Sequence, residues 1–260
     1  MARKRLAGIQ QLVLAGAPAP TAFFAYPDSS VQVLPVGCEI QTLAGTGDDA
    51  VQSLEALADL LGAGESDYDE MPHKRPEKPT GPLTAETAGM AIGALLPEEA
   101  IVSDESGTSG AFAYRHTAGA PPHDWLCLTG GSIGQGVPLA TGAAIACPDR
   151  KVICLQGDGG AMYTIQALWT QAREGLDVTT IIFSNRKYQI LGVELSRLGF
   201  TDPDRKVLDT MELSRPDLDW IRLAGGMGVP AERAETAEAF TDLLEKALSE
   251  SGPHLIEALL

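Results

Sequence analysis

Four short stretches hold residue types that bind anions and hard cations: Asp104-Glu105-Ser106-Gly107-Thr108-Ser109, Thr129-Gly130-Gly131-Ser132-Ile133-Gly134, Gln156-Gly157-Asp158-Gly159-Gly160 and Ser184-Asn185-Arg186-Lys187-Tyr188. Glycines let backbone amides approach an anion closely, and a helix that starts directly afterwards turns its positive end towards it. The chemistry this suggests is phosphate binding. Asp158 and Asn185 are separated by the content of one helix and one strand, so their side chains emerge from neighbouring strand ends. Two hard oxygen donors beside a phosphate cradle suit magnesium, which prefers octahedral oxygen coordination. The common nucleotide motifs do not account for the stretch: counted from Gly157, the third glycine of G-x-G-x-x-G falls on Met162, and no G-x-x-x-x-G-K-[ST] is present.

A rival chemistry is written in the same residues. Gly130-Gly131-Ser132-Ile133-Gly134 satisfies G-x-S-x-G, which in a hydrolase would make Ser132 the nucleophile with His254 as base. Against it, His254 immediately precedes the last strand and no HGGG-type oxyanion sequence lies upstream.

The elements that must position these stretches alternate. Helical patterns at residues 84–96, 106–115, 136–146, 165–174, 220–225 and 236–249 are interleaved with strands at 100–103, 125–128, 152–155, 178–183 and 255–259. Val178 to Phe183 is β-branched and continuous, the pattern of a strand buried on both faces. Such alternation predicts an α/β fold, a parallel sheet with helices on both faces, whose ligands sit beyond the carboxyl ends of the strands. Residues 63–82, rich in Gly, Pro and mixed charge, read as a linker. The 62 residues before it offer β-rich stretches at 12–15, 31–34 and 39–43 and an amphipathic segment at 48–61, a partial α/β domain with little core of its own.

The run from Gly157 to Tyr188 resembles the thiamine-diphosphate-dependent enzymes, whose pattern is Gly-Asp-Gly followed at a fixed interval by Asn-Asn; Asn185 takes the place of the second Asn and Ser184 replaces the first. The stretch from Gly130 to Gly160 looks most like the acetolactate synthase large subunit and benzoylformate decarboxylase group. The resemblance implies the family's thiamine-diphosphate-binding fold over residues 83–260, preceded by part of its central domain. It further implies thiamine diphosphate and Mg2+ as cofactors and a small-molecule 2-oxo acid as substrate, decarboxylated with or without carboligation. Asp158 and Asn185 would bind the metal through side chains and Lys187 through its carbonyl oxygen. Ser106, Gly107, Thr108, Gly131, Ser132, Ile133, Gly157, Gly159, Gly160, Tyr188 and Ile190 would join them around the cofactor, with Ile133 as the apolar wedge that bends it. No counterpart of the family's pyrimidine-binding domain is present. No catalytic residue is therefore carried over, Glu105 is not given the activating glutamate's role, and a homo-oligomer or a partner chain carrying that domain is expected. The alternative is a non-catalytic or split-enzyme subunit that needs such a partner. Leu191 stands where the pyruvate decarboxylase pattern has an acid, which counts against that activity.

Composition narrows the partners. With 35 acids against 19 bases the chain carries a net charge of −16, which repels nucleic-acid phosphates and anionic membranes. The apolar stretch from Leu12 to Tyr26 follows a basic start but is broken by Pro18 and Pro20, so neither a spanning helix nor a signal peptide is expected, and a cytoplasmic location is. The four cysteines have no zinc or redox spacing and read as buried reduced thiols. Trp169 and Trp220 read as core, and His116 and His123 as loop residues near the cleft.

Overall fold

The computed structural model describes residues 2–22, 31–64 and 73–260. The chain divides into two compact units with the boundary between Glu70 and Met71.

The first unit holds α1 (Ala2–Arg5), β1 (Gln11–Ala15), β2 (Glu39–Ala44) and α2 (Ala50–Leu61). β1 and β2 pair in parallel, Gln11 opposite Glu39. α2 starts where the Asp49 carboxylate accepts from the Gln52 amide, and stops at Gly62, whose left-handed backbone suits glycine. No residue of α2 is buried, and Val51, Leu54, Leu60 and Leu61 stand exposed on it, as do Val13 and Ile40 on the strands. Residues 31–34, expected as strand, form only an isolated bridge between Gln32 and Thr21, because Pro35 lacks the donor to extend a ladder.

The second unit runs α3 (Ala85–Leu95), β3 (Ile101–Glu105), α4 (Gly110–His116), β4 (Asp124–Cys127), α5 (Gly136–Ala146), β5 (Val152–Gly157), α6 (Asp158–Ala161), α7 (Ala167–Glu174), β6 (Val178–Ser184), α8 (Gln189–Arg197), α9 (Arg205–Asp209), α10 (Trp220–Gly226), β7 (Ala231–Ala234), α11 (Ala237–Ser249) and β8 (His254–Leu259). Its six strands form one parallel sheet in the order β4-β3-β5-β6-β8-β7. Every residue of β6 is buried, as expected of a central parallel strand. Alternate side chains divide between two cores. Ile153, Leu155, Ile181 and Phe183 pack with α3, α4 and α11, while Val152, Cys154, Val178 and Ile182 pack with α5, α7 and α10. Fully buried Phe240 and Leu244 anchor α11, each contributing roughly 2–3 kcal/mol of apolar burial.

Part of the stretch expected as linker, residues 65–72, lies outside the described residues. Residues 73–82 are a strap docked on the second unit. The Arg75 guanidinium donates to the carbonyls of Ala94 (3.0 Å) and Leu96 (2.5 Å), satisfying acceptors that the end of α3 leaves open. Lys78 pairs with Glu245 at 2.7 Å, and the Gly81 amide donates to Glu238. A proline- and charge-rich composition suits an extended strap as well as a tether, and the partners on α3 and α11 decide between them.

β4 lies on one side of β3 and β5 on the other. The chain leaving β3 turns into α4 on one face, and the chain leaving β5 turns into α6, whose Ala161 joins the core on the other face. Diverging loops at such a switch of strand order open a crevice at the carboxyl edge. Among the described residues no helix is long and apolar enough to cross a membrane.

Candidate functional site

The first wall of the crevice is the loop after β3. The Asp104 carboxylate holds it: one oxygen accepts from the amide and the hydroxyl of Ser106, and the other from the Trp125 indole at 3.3 Å. α4 opens on Gly110 because a Cβ there would overlap the Ser106 hydroxyl. Gly107 lies between, with φ 58° and open space where a side chain would stand, so the loop presents bare backbone to the crevice.

The second wall is built on β5 and β6, neighbours whose ends match, Gly157 opposite Phe183. Asp158 follows at 4% exposure. One of its carboxylate oxygens accepts from the Gly159 amide (2.8 Å) and the other from the Arg186 amide (2.6 Å). Burial raises its pKa above the usual carboxylate value, and the amide bonds oppose this only in part. No ion pair to Asp158 forms among the described residues. A buried carboxylate without a cation is costly, so this position could hold one supplied from outside.

Neutral oxygens that could complete such a site stand at the end of β6. The Asn185 side-chain oxygen accepts from the Lys187 amide at 3.1 Å, and the Lys187 carbonyl accepts from Gln189, so each acceptor keeps a free lone pair. Arg186 between them is left-handed at φ 58°, a conformation held from outside: its carbonyl accepts from Leu213 and the Tyr188 amide donates to Met211. The Tyr188 ring lies against the bare backbone of Gly159. Among the described residues no group of three or more His, Cys, Asp or Glu side chains could hold a metal. One carboxylate with neutral oxygens suits a hard divalent cation that keeps water or ligand oxygens, and does not suit zinc.

The third loop, residues 129–134, departs from expectation. Free amides at the start of the following helix are expected to face an anion from outside. Instead Glu105, at 7% exposure, reaches up from β3 and accepts from the Gly134 amide (2.6 Å) and the Gly136 amide (2.5 Å). Ser103 on the same face donates to the Gly136 carbonyl, and fully buried Gln156 lies beside them. Sequence reasoning passes over this use of Glu105 and Gln156. The available signal is an acid at the buried end of a strand, next to the strand whose end carries a glycine loop that needs an acceptor.

All fourteen expected site residues lie at the carboxyl edge. Ser106 and Asp158 are buried, Tyr188 and Asn185 half-buried, and Gly131, Ser132, Ile133, Lys187 and Ile190 exposed. Met162 and Tyr163 add to the apolar rim. The rival hydrolase reading fails on topology. Ser132 follows the carboxyl end of β4, whereas His254 opens the parallel β8 at the amino edge, where it bonds Glu250 at 3.0 Å. His116 closes α4 and His123 precedes β4, so both also sit at the amino edge, away from the crevice. Trp220 is core as expected, but Trp169 is 53% exposed, its ring covered by the Arg173 guanidinium. Only Cys154 of the four free cysteines is buried; Cys127 stands at the exposed end of edge strand β4.

The raised pKa of Asp158 has a sign that can be measured. The folded state holds this proton more tightly than the unfolded chain, so in the absence of metal the ionised form weakens the fold as pH rises above the ordinary value of 3.8. Wild type should therefore lose stability relative to Asp158→Asn as pH rises, levelling off above the folded value. Each tenfold by which the folded chain holds the proton more tightly than the unfolded one should widen the gap by about 1.4 kcal/mol. Paired denaturant melts from pH 4 to 8 check this, and a wild type that gains stability relative to Asp158→Asn as pH rises contradicts it.

Residues 105–258 match the family described as thiamine pyrophosphate enzyme, C-terminal TPP binding domain. The chain is 52% identical over 260 residues, all of its length and 50% of the relative's, to a Mycobacterium tuberculosis protein described as "Putative acetolactate synthase large subunit IlvX". It is 34% identical over 214 residues to benzoylformate decarboxylase of Pseudomonas aeruginosa, covering 80% of this chain and 39% of that one. Among solved structures, the thiamine diphosphate-dependent 4-hydroxybenzoylformate decarboxylase of Rhodococcus jostii superposes with a TM-score of 0.77 at 26% identity, over 99% of this chain and 50% of that one. The chain thus spans half or less of the relatives it matches. With the parallel sheet and the family match over residues 105–258, the chain belongs to the thiamine-pyrophosphate enzyme family and carries its C-terminal TPP-binding domain.

Proposed function

We propose that this chain forms the diphosphate- and magnesium-binding portion of an acetolactate-synthase-like enzyme that acts on 2-oxo acids. The observation that carries the reading is Asp158, a buried carboxylate without an ion pair among the described residues, beside the neutral oxygens of Asn185 and Lys187. These three would hold Mg2+, and the metal would accept the remaining ligands from a diphosphate and water. Ser106, Gly107 and Thr108 would face the diphosphate from across the crevice, where Gly107 leaves room for backbone to approach an anion. Thiamine diphosphate, when bound, supplies a thiazolium carbon that adds to a 2-oxo acid and stores the electrons released with CO2. The chain's part is to hold the diphosphate and, with the rim residues Ile133, Tyr163 and Ile190, to keep water from one side of the cofactor.

A second reading, a split-enzyme subunit or one without catalysis, is favoured by the apolar residues that α2, β1 and β2 leave exposed. Mixing the chain with a separately expressed pyrimidine-binding domain of a relative, then following CO2 release from benzoylformate and pyruvate, tests both. Decarboxylation that needs thiamine diphosphate and Mg2+ supports the enzyme. Cofactor binding without turnover in the mixture supports the non-catalytic subunit.

A further inference from the structure

Around the start of α5 the fold spends an unusual amount of buried polarity. Alternation along β3 and β5 sends Ser103, Glu105 and Gln156 to the same face of the sheet, beneath that helix. Glu105 takes the amides of Gly134, just before the helix, and Gly136, its first residue, with one carboxylate oxygen each, while the Gln135 amide between them donates to Ser132. A carboxylate so placed faces the positive end of the helix dipole and satisfies donors that the first turn would otherwise leave open. Beside it the side-chain nitrogen and oxygen of Gln156 are both buried without a hydrogen-bond partner. Its nitrogen and a Glu105 oxygen each lie 3.0 Å from the point where a Cβ of Gly160 would stand, so only glycine fits there without pushing on both.

The consequence falls on Ile133. Gly134, the next residue, is fixed at both ends: its amide by Glu105, and its carbonyl by the Thr164 hydroxyl at 2.8 Å. Ile133 has no freedom to sink, and stands 52% exposed with its Cγ2 3.7 Å from the Cβ point of Gly160, over the second wall of the crevice. The helix start that sequence alone assigns to an external phosphate already gives its first amide to an internal anion. A diphosphate entering the crevice is left to the loops at 106–109 and 157–160, and the third loop is left to the rest of the cofactor.

We propose that Glu105 is a positioning residue, an internal anion that fixes Ile133 against the ring end of the cofactor and keeps the diphosphate off the start of α5. This rests on the cofactor reading above. Glu105→Gln keeps the shape but offers only one acceptor to two amides, and Glu105→Asp keeps the charge but is too short to reach both.

The test compares two ligands in calorimetric titrations with Mg2+: thiamine diphosphate, which has a ring end, and inorganic pyrophosphate, which has none. In Glu105→Gln the affinity for thiamine diphosphate should fall about 10-fold or more, while that for pyrophosphate changes less than about 3-fold. Ile133→Ala in the wild-type background should reproduce that split, and it serves as the deciding variant if neither Glu105 substitution folds. Exchange of the Gly134 and Gly136 amides with solvent should accelerate at least about 10-fold in Glu105→Gln, read by nuclear magnetic resonance. Equal losses for both ligands would reduce Glu105 to a structural residue and overturn the proposal, as would loss of neither or loss confined to pyrophosphate. If wild type binds neither ligand, the cofactor reading itself fails and the proposal falls with it, an outcome distinct from a failed split in a wild type that binds both.

Discussion

Asp158→Ala should lower the affinity for Mn2+, used as a paramagnetic stand-in for Mg2+ in the presence of thiamine diphosphate, by at least about 100-fold. Loss of a supporting partner behind a ligand already costs about 10–100-fold, and this substitution would remove the one charged ligand of the proposed site. The remaining donors, Asn185 and the Lys187 carbonyl, are neutral and cannot replace the lost charge. The substitution also strands the Gly159 and Arg186 amides, which lose their acceptor. A buried unpaired donor costs about 1–3 kcal/mol, so a thermal melt should show a weaker but cooperative fold. Electron paramagnetic resonance of free against bound Mn2+ reads the effect. An unchanged affinity in a folded variant would remove Asp158 from the metal site.

Gly159→Ala should weaken magnesium-dependent cofactor binding by about 10-fold or more and destabilise the fold by about 1–3 kcal/mol, the usual cost of forcing extra volume into a packed site. The added Cβ would stand 2.5 Å from Cδ1 of Tyr188 and nearer still to Cε1. The ring must turn away, yet its residue is tied through the backbone to Met211 and opens α8 directly after Asn185 and Lys187. Strain entering at Gly159 thus reaches two of the three proposed metal donors. Gly142→Ala is the control: it lies exposed within α5 with nothing within 4 Å of the Cβ point. It should stabilise the protein by about 0.5–1 kcal/mol and leave binding unchanged. Equal behaviour of the two alanines in melts and titrations would refute the packing argument.

What sequence could disclose here depended on which residues declare their role by type. β5 and β6 are continuous apolar runs, and the glycines, Asp158 and Asn185 at their ends are unusual enough in combination to mark the crevice. β7 is four residues with Glu232 and Arg233 exposed, an edge strand whose pairing with β8 comes from its neighbour rather than from its own pattern. α8 has no buried residue and α9 is barely more than one turn, so neither carries a strong apolar stripe. Glu105 was hidden for the opposite reason: an acid at a strand end reads as a surface group, and only the fold reveals two amides 2.5–2.6 Å above it. Trp169 misled because its helical spacing places it beside apolar residues in sequence, while α7 turns it outward under Arg173.

The most direct measurement is a calorimetric titration of the intact chain with thiamine diphosphate, run once with Mg2+ and once with a chelator. Saturable binding that appears only with the metal is the predicted result, since in the proposed site Asp158 and the diphosphate would share the cation. Binding of equal strength with and without Mg2+ would contradict the account, because the buried carboxylate would then have to face the diphosphate with no cation between them.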